Sequence, residues 1–243
     1  MSNQHDHTEK RQEGLDLPSI EIIQALTSMT YKSIYILNHE KRKFEYISDN
    51  PIFLAGHSVQ EVHAMGFNFY TRCVPEKEQE LLGQVCKVGF AFFNTLSAEY
   101  KKDYTLSCDF HLIHQHIPNL LIRQEITPLQ LSSTGRLSKS ICMASLSTAQ
   151  EAGNIAVYTK TRTHCWRFNV QQQCWELEKS PCFTPKELSV LYASIQGFTV
   201  QEIADLLYLA PDTIKFHRRK IMEKCQVNTL AQAIRYVIVN KLL

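Results

Sequence analysis

Two periods of hydrophobic and polar positions divide the chain. In residues 33–50, SIYILNHE and KFEYISDN gather Ile, Tyr and Phe into short runs, and the polar stretch 38–43 between them predicts a strand hairpin. Ahead of it, SIEIIQALT (19–27) places Ile20, Ile23 and Leu26 at helical spacing and predicts a short lead-in helix. Residues 1–18 are polar, end at Pro18 and predict a mobile tail. After the hairpin, Gly56 and Gly66 punctuate short helical turns, one opened by Ser58 and Glu61 at capping-box spacing. Residues 75–97 predict the longest helix of this half. Pro75 suits its first turn, Glu76 and Glu78 its positive end, and Leu81, Val85, Val88 and Phe92 form one buried face. Three strand-like runs follow, at 104–114, 120–131 and 139–147. A five-stranded antiparallel sheet with helices packed on one face satisfies this order.

Residues 150–182 keep the strand period. IAVYTKT reads as a strand, and CWRFNV and CWELEK flank 171–173 as a β-hairpin with Trp166 and Trp175 on a packing face. Beyond 183 the period is helical. Thr184 with Glu187, Thr199 with Glu202, and Thr229 with Gln232 stand at capping-box spacing; Pro185 fits a first helical position, and Gly197 a helix stop. The buried faces predicted are Leu188, Leu191, Tyr192 and Ile195, then Ile203, Leu206 and Leu207. A tight turn at 209–211 leads into APDTIKFHRRKIMEKC, residues 210–225. Wound as a helix, this stretch has a narrow apolar back of Ile214, Ile221 and Cys225. Asp212, Lys215 and Arg219 lie opposite, with Phe216 beside them and Lys220 and Lys224 at the flanks. Such a helix suits the DNA major groove. A merely solvated basic face is the plainer alternative.

Charge sharpens the picture through its distribution. The whole chain of 243 residues carries a net charge of only +2, but residues 180–243 hold eight Lys/Arg against five Asp/Glu. The rest holds 18 basic and 19 acidic residues. A hydrophobic share of 44% is ample for a buried core. The eight cysteines form no C-x-x-C pair and predict buried, reduced thiols in a cytoplasmic protein. The polar N-terminus and the lack of any eighteen-residue apolar run predict no membrane span. No phosphate-binding loop, G-x-S-x-G or H-E-x-x-H motif appears, so no enzyme and no cofactor are predicted. His111, His114 and His116 do not share one strand face and have no cysteine cluster nearby in sequence, so no metal site is predicted.

Residues 28–149 resemble a PAS domain, a sensor and dimerisation module, in their order of elements and in fragments such as FEYISDNPIFLAG and EVHAMGFNFY. The resemblance implies a place for a small-molecule or protein ligand. Haem-binding relatives use a His on the long helix, and 75–97 has none; Arg72-Cys73 lacks the rest of the flavin-binding N-C-R motif. Residues 183–234 resemble the LuxR-type helix-turn-helix without gaps. The matching residues are Thr184, Glu187, Val190, Leu191, Gly197, Glu202, Ile203, Ala204, Leu207, Thr213, Ile214, Lys215, His217, Ile221, Lys224, Val227 and Ala231. This resemblance implies double-stranded DNA as partner, with Lys215, Phe216 and Arg219 facing base edges. It makes Thr213, His217 and Lys224 backbone contacts; Arg218 and Lys220 are read here as phosphate contacts. Three positions depart from the usual pattern: Ala210 where Ser is common, Val200-Gln201 where a basic residue is common, and Cys225 for Leu.

The expected chain is α+β, with a PAS-like antiparallel sheet and a C-terminal all-α four-helix unit. Its divisions are a tail and lead-in helix at 1–27, the PAS-like domain at 28–149, a connector at 150–182 and the helix-turn-helix at 183–243. The expected function is sequence-specific transcriptional regulation modulated through the PAS-like part. A protein–protein adaptor whose helix-turn-helix ignores DNA is the alternative. The last helix carries Tyr236, Val237, Val239, Leu242 and Leu243, more than a four-helix core needs, and predicts a homodimer seam.

Overall fold

A computed structural model of the chain describes residues 17–114, 116–161 and 164–243. The polar tail expected over 1–18 lies outside them save for its last two residues. The lead-in helix α1 spans Leu17–Met29, and the hairpin strands are β1 (Ser33–Asn38) and β2 (Lys43–Ile47). Three short helices follow, α2 (Pro51–Leu54), α3 (Val59–Met65) and α4 (Asn68–Cys73), then the long α5 (Glu76–Thr95). Ser58 and Glu61 close the expected capping box on α3. Three long strands come next: β3 (Tyr104–Leu112), β4 (Leu120–Leu131) and β5 (Leu137–Leu146).

The sheet does not stop at five strands. The connector supplies β6 (Gly153–Thr159), β7 (His164–Asn169) and β8 (Cys174–Lys179), and the order across the sheet is β2-β1-β5-β4-β3-β6-β7-β8. Every pairing is antiparallel. The physical reason is the open edge of β3, which would otherwise leave a row of backbone donors and acceptors without partners. β6 covers it, with Leu106 opposite Val157.

Helices also lie on both faces, where one was expected. β1 is buried along its whole length. Tyr35 and Leu37 join the main core under α2–α5, while Ile34 and Ile36 point the other way and pack against Ile23 of α1. In the main core the Tyr35 and Phe53 rings stack 3.9 Å apart. Both tryptophans of the β7–β8 hairpin close on Phe92 of α5, at 5.4 Å for Trp166 and 5.1 Å for Trp175. His111 of β3 faces the start of α5, where Glu78 accepts both its backbone N–H and its ring nitrogen at 2.8 Å. Five cysteines are buried, but Cys86, Cys174 and Cys182 are exposed, against expectation. Among the described residues no helix is long and apolar enough to cross a membrane.

The C-terminal unit comprises α6 (Pro185–Ile195), α7 (Val200–Leu207), α8 (Pro211–Cys225) and α9 (Leu230–Val239). Thr184–Glu187, Thr199–Glu202 and Thr229–Gln232 all form reciprocal capping boxes. The core gathers Val190, Leu191, Ile203, Ala204, Ile214, Ile221, Ala233 and Val237. Tyr192 and Leu206, expected inside, are exposed. At about 100° per residue, Tyr192 lies roughly 100–160° around α6 from Val190, Leu191, Ala193 and Ser194, and Leu206 about 160° around α7 from Ala204, so both fall outside the buried stripes.

One ion pair ties the ends of this bundle. Lys224 Nζ donates to Glu187 Oε2 at 2.6 Å and to the Cys182 carbonyl at 2.9 Å, fastening the last turn of α8 to the cap of α6. The Glu187 side chain is 6% exposed and that of Lys224 32%. Burial pushes the Glu187 carboxyl up, but hydrogen bonds from Lys224 and Thr184 outweigh it and hold the group below the usual carboxylate range. On its other side, α9 meets the sheet: Tyr158 Oη donates to Asn240 Oδ1 at 3.1 Å, and Lys241 reaches Glu125 of β4 at 3.2 Å.

Two measurements probe this packing. A Cβ added at Gly89 of α5 would overlap Leu106 Cδ2, and Leu106 is wholly buried. Gly89→Ala is expected to destabilise the sheet unit by about 1–3 kcal/mol in chemical denaturation, despite the better helix propensity of Ala. Glu187, with a depressed folded pKa, contributes stability that is complete above the unfolded value of about 4.3 and disappears as pH falls through the folded one. Glu187→Gln is expected to cost about 1–3 kcal/mol at pH 7. The difference from wild type, followed through the helical circular dichroism signal, should close as pH falls toward about 3.

Candidate nucleic-acid interface

The basic helix α8 is held from behind. Ile214, Ile221 and Cys225 are buried in the bundle core, so one stripe of the helix is fixed and the opposite face is turned to solvent. Its start is set by Pro211 at the first helical position, with Ala210 as the N-cap residue in extended conformation and no side-chain cap. Its end is closed by Gln226 in the left-handed conformation. The turn before it is short because Tyr208 also takes the left-handed conformation, at φ 53°, and ends α7 at once.

Lys215, Phe216 and Arg219 are exposed on the front, and the side chains of Lys215 and Arg219 are 65% and 64% accessible. Phe216 sits between two cations, with the Arg219 guanidinium and the Lys220 ammonium each 5.8 Å from its ring centroid. The flat aromatic face thereby keeps both side chains close to the helix front. Lys215 pairs with Asp212 at 3.0 Å, Lys220 with Glu223 at 2.7 Å, and Arg219 approaches Glu223 at 3.8 Å. These are exposed pairs within one helix, worth at most a few tenths of a kcal/mol each, so they yield readily to a stronger anion. Thr213 and His217 are half-buried beside this face, and the His217 ring lies edge-on to Phe216 at 5.6 Å.

The eight residues singled out from the sequence do not all share this surface. Arg218 turns back toward the bundle. Its Nε donates to Ser194 Oγ at 3.2 Å and its Nη2 to the Phe198 carbonyl at 2.8 Å, which locks α8 to the α6–α7 turn. Lys224 is occupied by Glu187 and the Cys182 carbonyl. That leaves Lys215, Phe216, Arg219 and Lys220 as the open cluster, with Thr213 and His217 at its rim. Sequence reasoning passed over Tyr208, which is 95% exposed in the turn just before α8. It is the left-handed cap residue just past α7, outside the helical stripe that the sequence pattern reports.

Residues 181–237 match the family model of the bacterial regulatory proteins of the luxR family, a family of regulators rather than enzymes. Two relatives are similar to part of the chain. The transcriptional regulatory protein YxjL of Bacillus subtilis is 33% identical over 73 residues, 30% of this chain and 34% of that one. The tetrathionate response regulatory protein TtrR of Salmonella typhimurium is 40% identical over 52 residues, 21% of this chain and 25% of that one. The chain therefore spans only about a third and a quarter of the lengths of these two relatives. Among solved structures, a Vibrio cholerae VqmA–ligand–DNA complex covers 93% of this chain and 89% of its own, at 14% identity and a TM-score of 0.31. The N-terminal domain of a Marinobacter aquaeolei diguanylate cyclase with a PAS/PAC sensor covers 47% of this chain and 94% of its own, at 14% identity and a TM-score of 0.34. Three capping boxes, a left-handed turn and a basic helix clamped from behind are the local chemistry beneath the sequence match, and the C-terminal unit of this chain is a LuxR-family helix-turn-helix domain.

Proposed function

We propose that the chain is a transcriptional regulator that reads double-stranded DNA through α8 and is modulated through its sheet-bearing half. The observation that carries the reading is the combination of a rigid back and a yielding front on one helix of a LuxR-family domain. Lys215, Phe216 and Arg219 face base edges in this reading, and Lys220, Thr213 and His217 contact phosphates. Arg218 and Lys224 act one step behind them. They hold the helix in place, and any phosphate contact they make uses only what Ser194, the Phe198 carbonyl, the Cys182 carbonyl and Glu187 leave free.

The modulating half is supported by a cavity of about 310 Å³ between the sheet and α4–α5, lined by Leu37, Phe67, Tyr70, Val85, Gln124 and Ile126. Tyr70 Oη and Gln124 Oε1 are buried there without a hydrogen-bond partner among the described residues. Buried polar atoms left alone cost free energy, so their presence at a void favours a small-molecule occupant over a closed core. Burial pushes the Tyr70 hydroxyl well up and keeps it a donor. His39, on the same wall, is pulled down to about 4 by burial and is neutral near pH 7. The functional division follows: a PAS-like sensor at 28–149, a connector at 150–182 whose strands widen its sheet, and the DNA reader at 183–243. A homodimer places two α8 helices on half-sites about one helical turn apart.

The test is selection of bound duplexes from a random pool, followed by salt titration on the selected site. Arg219→Ala is expected to relax preference at one base position by about 1–3 kcal/mol. Lys220→Ala should weaken all sequences alike and lower the log–log salt slope by about one. A wild-type protein that shows no salt-dependent binding to any duplex would leave the adaptor role in place of this one.

A further inference from the structure

A second cavity, of about 370 Å³, opens where α9 meets the sheet. Arg123 of β4, Arg167 of β7 and Arg235 of α9 all line it, with Asn154, Gln232 and Asn240 on its walls. Two of the three guanidinium groups are backed by carboxylates. Asp109, wholly buried, accepts from Arg123 Nε at 3.0 Å and Nη2 at 3.2 Å, and also from Ser147 Oγ at 3.0 Å and Asn154 Nδ2 at 2.8 Å. Glu178 accepts from Arg167 Nε at 3.0 and 3.2 Å. These bonds fix both forks in orientation while leaving Arg123 Nη1 and both Nη groups of Arg167 without a partner among the described residues. Arg235 forms no hydrogen bond or ion pair among the described residues. No Asp or Glu lines the cavity itself, and Glu125 of β4 is engaged by Lys241. The cavity wall thus offers planar N–H donors from both sides of the seam and no lining carboxylate.

We infer that this cavity binds a small multivalent oxyanion, bearing a phosphate or several carboxylates, that bridges the sheet to α9. A planar fork held by a carboxylate behind it is preorganised for two parallel hydrogen bonds to oxyanion oxygens. Two such forks and the unpaired Arg235 guanidinium face one void; Asp109 and Glu178 balance the first two charges, and Arg235 leaves one positive charge there in excess to attract an anion. The volume lies at the lower end of ligand sites, which limits the occupant to a compact anion. Because one donor stands on α9 and two on the sheet, the occupant joins the two units in addition to the Tyr158–Asn240 and Lys241–Glu125 contacts. Nothing in this proposal requires that the chain bind DNA.

The experiment is calorimetric titration of the full chain with inorganic pyrophosphate and, separately, with citrate, at an ionic strength held constant with chloride. Saturable binding of at least one is expected, and the tighter of the two tells phosphate from carboxylate chemistry. Arg235→Gln should weaken it at least tenfold, and because Arg235 is exposed and unpaired its melting temperature without anion should match wild type. The wild-type melting temperature should rise with anion concentration, and that of Arg235→Gln should not. Arg167→Gln serves as the second variant from the sheet side, with the same expected loss. Absence of saturable binding to both anions overturns the proposal. So does binding that both variants retain at wild-type affinity, which would place the anion on the basic front of α8.

Discussion

Successive side chains of a strand point to opposite faces, and in β1 both sets are buried: Tyr35 and Leu37 on one side, Ile34 and Ile36 on the other. A strand of that kind cannot lie on a solvated surface, so each face of the sheet needs a cover. One face takes α2–α5, and at its far end Trp166 and Trp175 of the β7–β8 hairpin close on α5. The other takes α1 beside β1 and leaves the region over β4, β6 and β7 to α9. Part of the second cover comes from the C-terminal unit, so the sheet and the helix-turn-helix share a boundary. Both cavities follow from the same arrangement: one lies beneath the helices of the first face, the other where α9 rests on the second.

Much of this was legible in the sequence because it is local. A capping box is a three-residue spacing, and all four found by spacing close in the structure. The back of α8 is a helical stripe, and Ile214, Ile221 and Cys225 are buried as their spacing requires. The strand runs were readable from β-branched and aromatic residues, and the Cys-Trp hairpin from its internal symmetry. What failed was non-local. Nothing in IAVYTKT says which strand it will pair with, so the connector read as a bridge between domains and not as part of the sheet. Tyr192 and Leu206 are apolar residues on amphipathic helices, and only the narrow crossing of short helices decides that they face water. Arg218 and Lys224 look from the sequence like the rest of a basic run; their partners lie 24 and 37 residues away.

Within the helix-turn-helix, strong and weak interactions are sorted by side. The contacts behind α8 are buried or partly buried and charge-assisted, such as Lys224–Glu187, and they are costly to break. Those in front are solvent-exposed pairs along one helix, which cost little to exchange. This sorting lets one element be rigid in position and adaptable in its contacts. It also explains why charge alone does not identify the open surface: two of the five cations on the helix belong to its anchorage.

Ala210 adds an asymmetry along the helix axis. A residue with no side-chain acceptor at the N-cap forgoes about 1 kcal/mol of end stabilisation, and Pro211 recovers part of this by removing one unpaired amide. The other end is tied by Gln226 and the Lys224–Glu187 pair. The two ends of the helix are therefore unequally held, the first turn without a side-chain cap and the last tied into the bundle. The first turn is nonetheless formed, with Thr213 and Ile214 N–H both donating to the Ala210 carbonyl, so the missing cap is a cost in the stability of the free helix end.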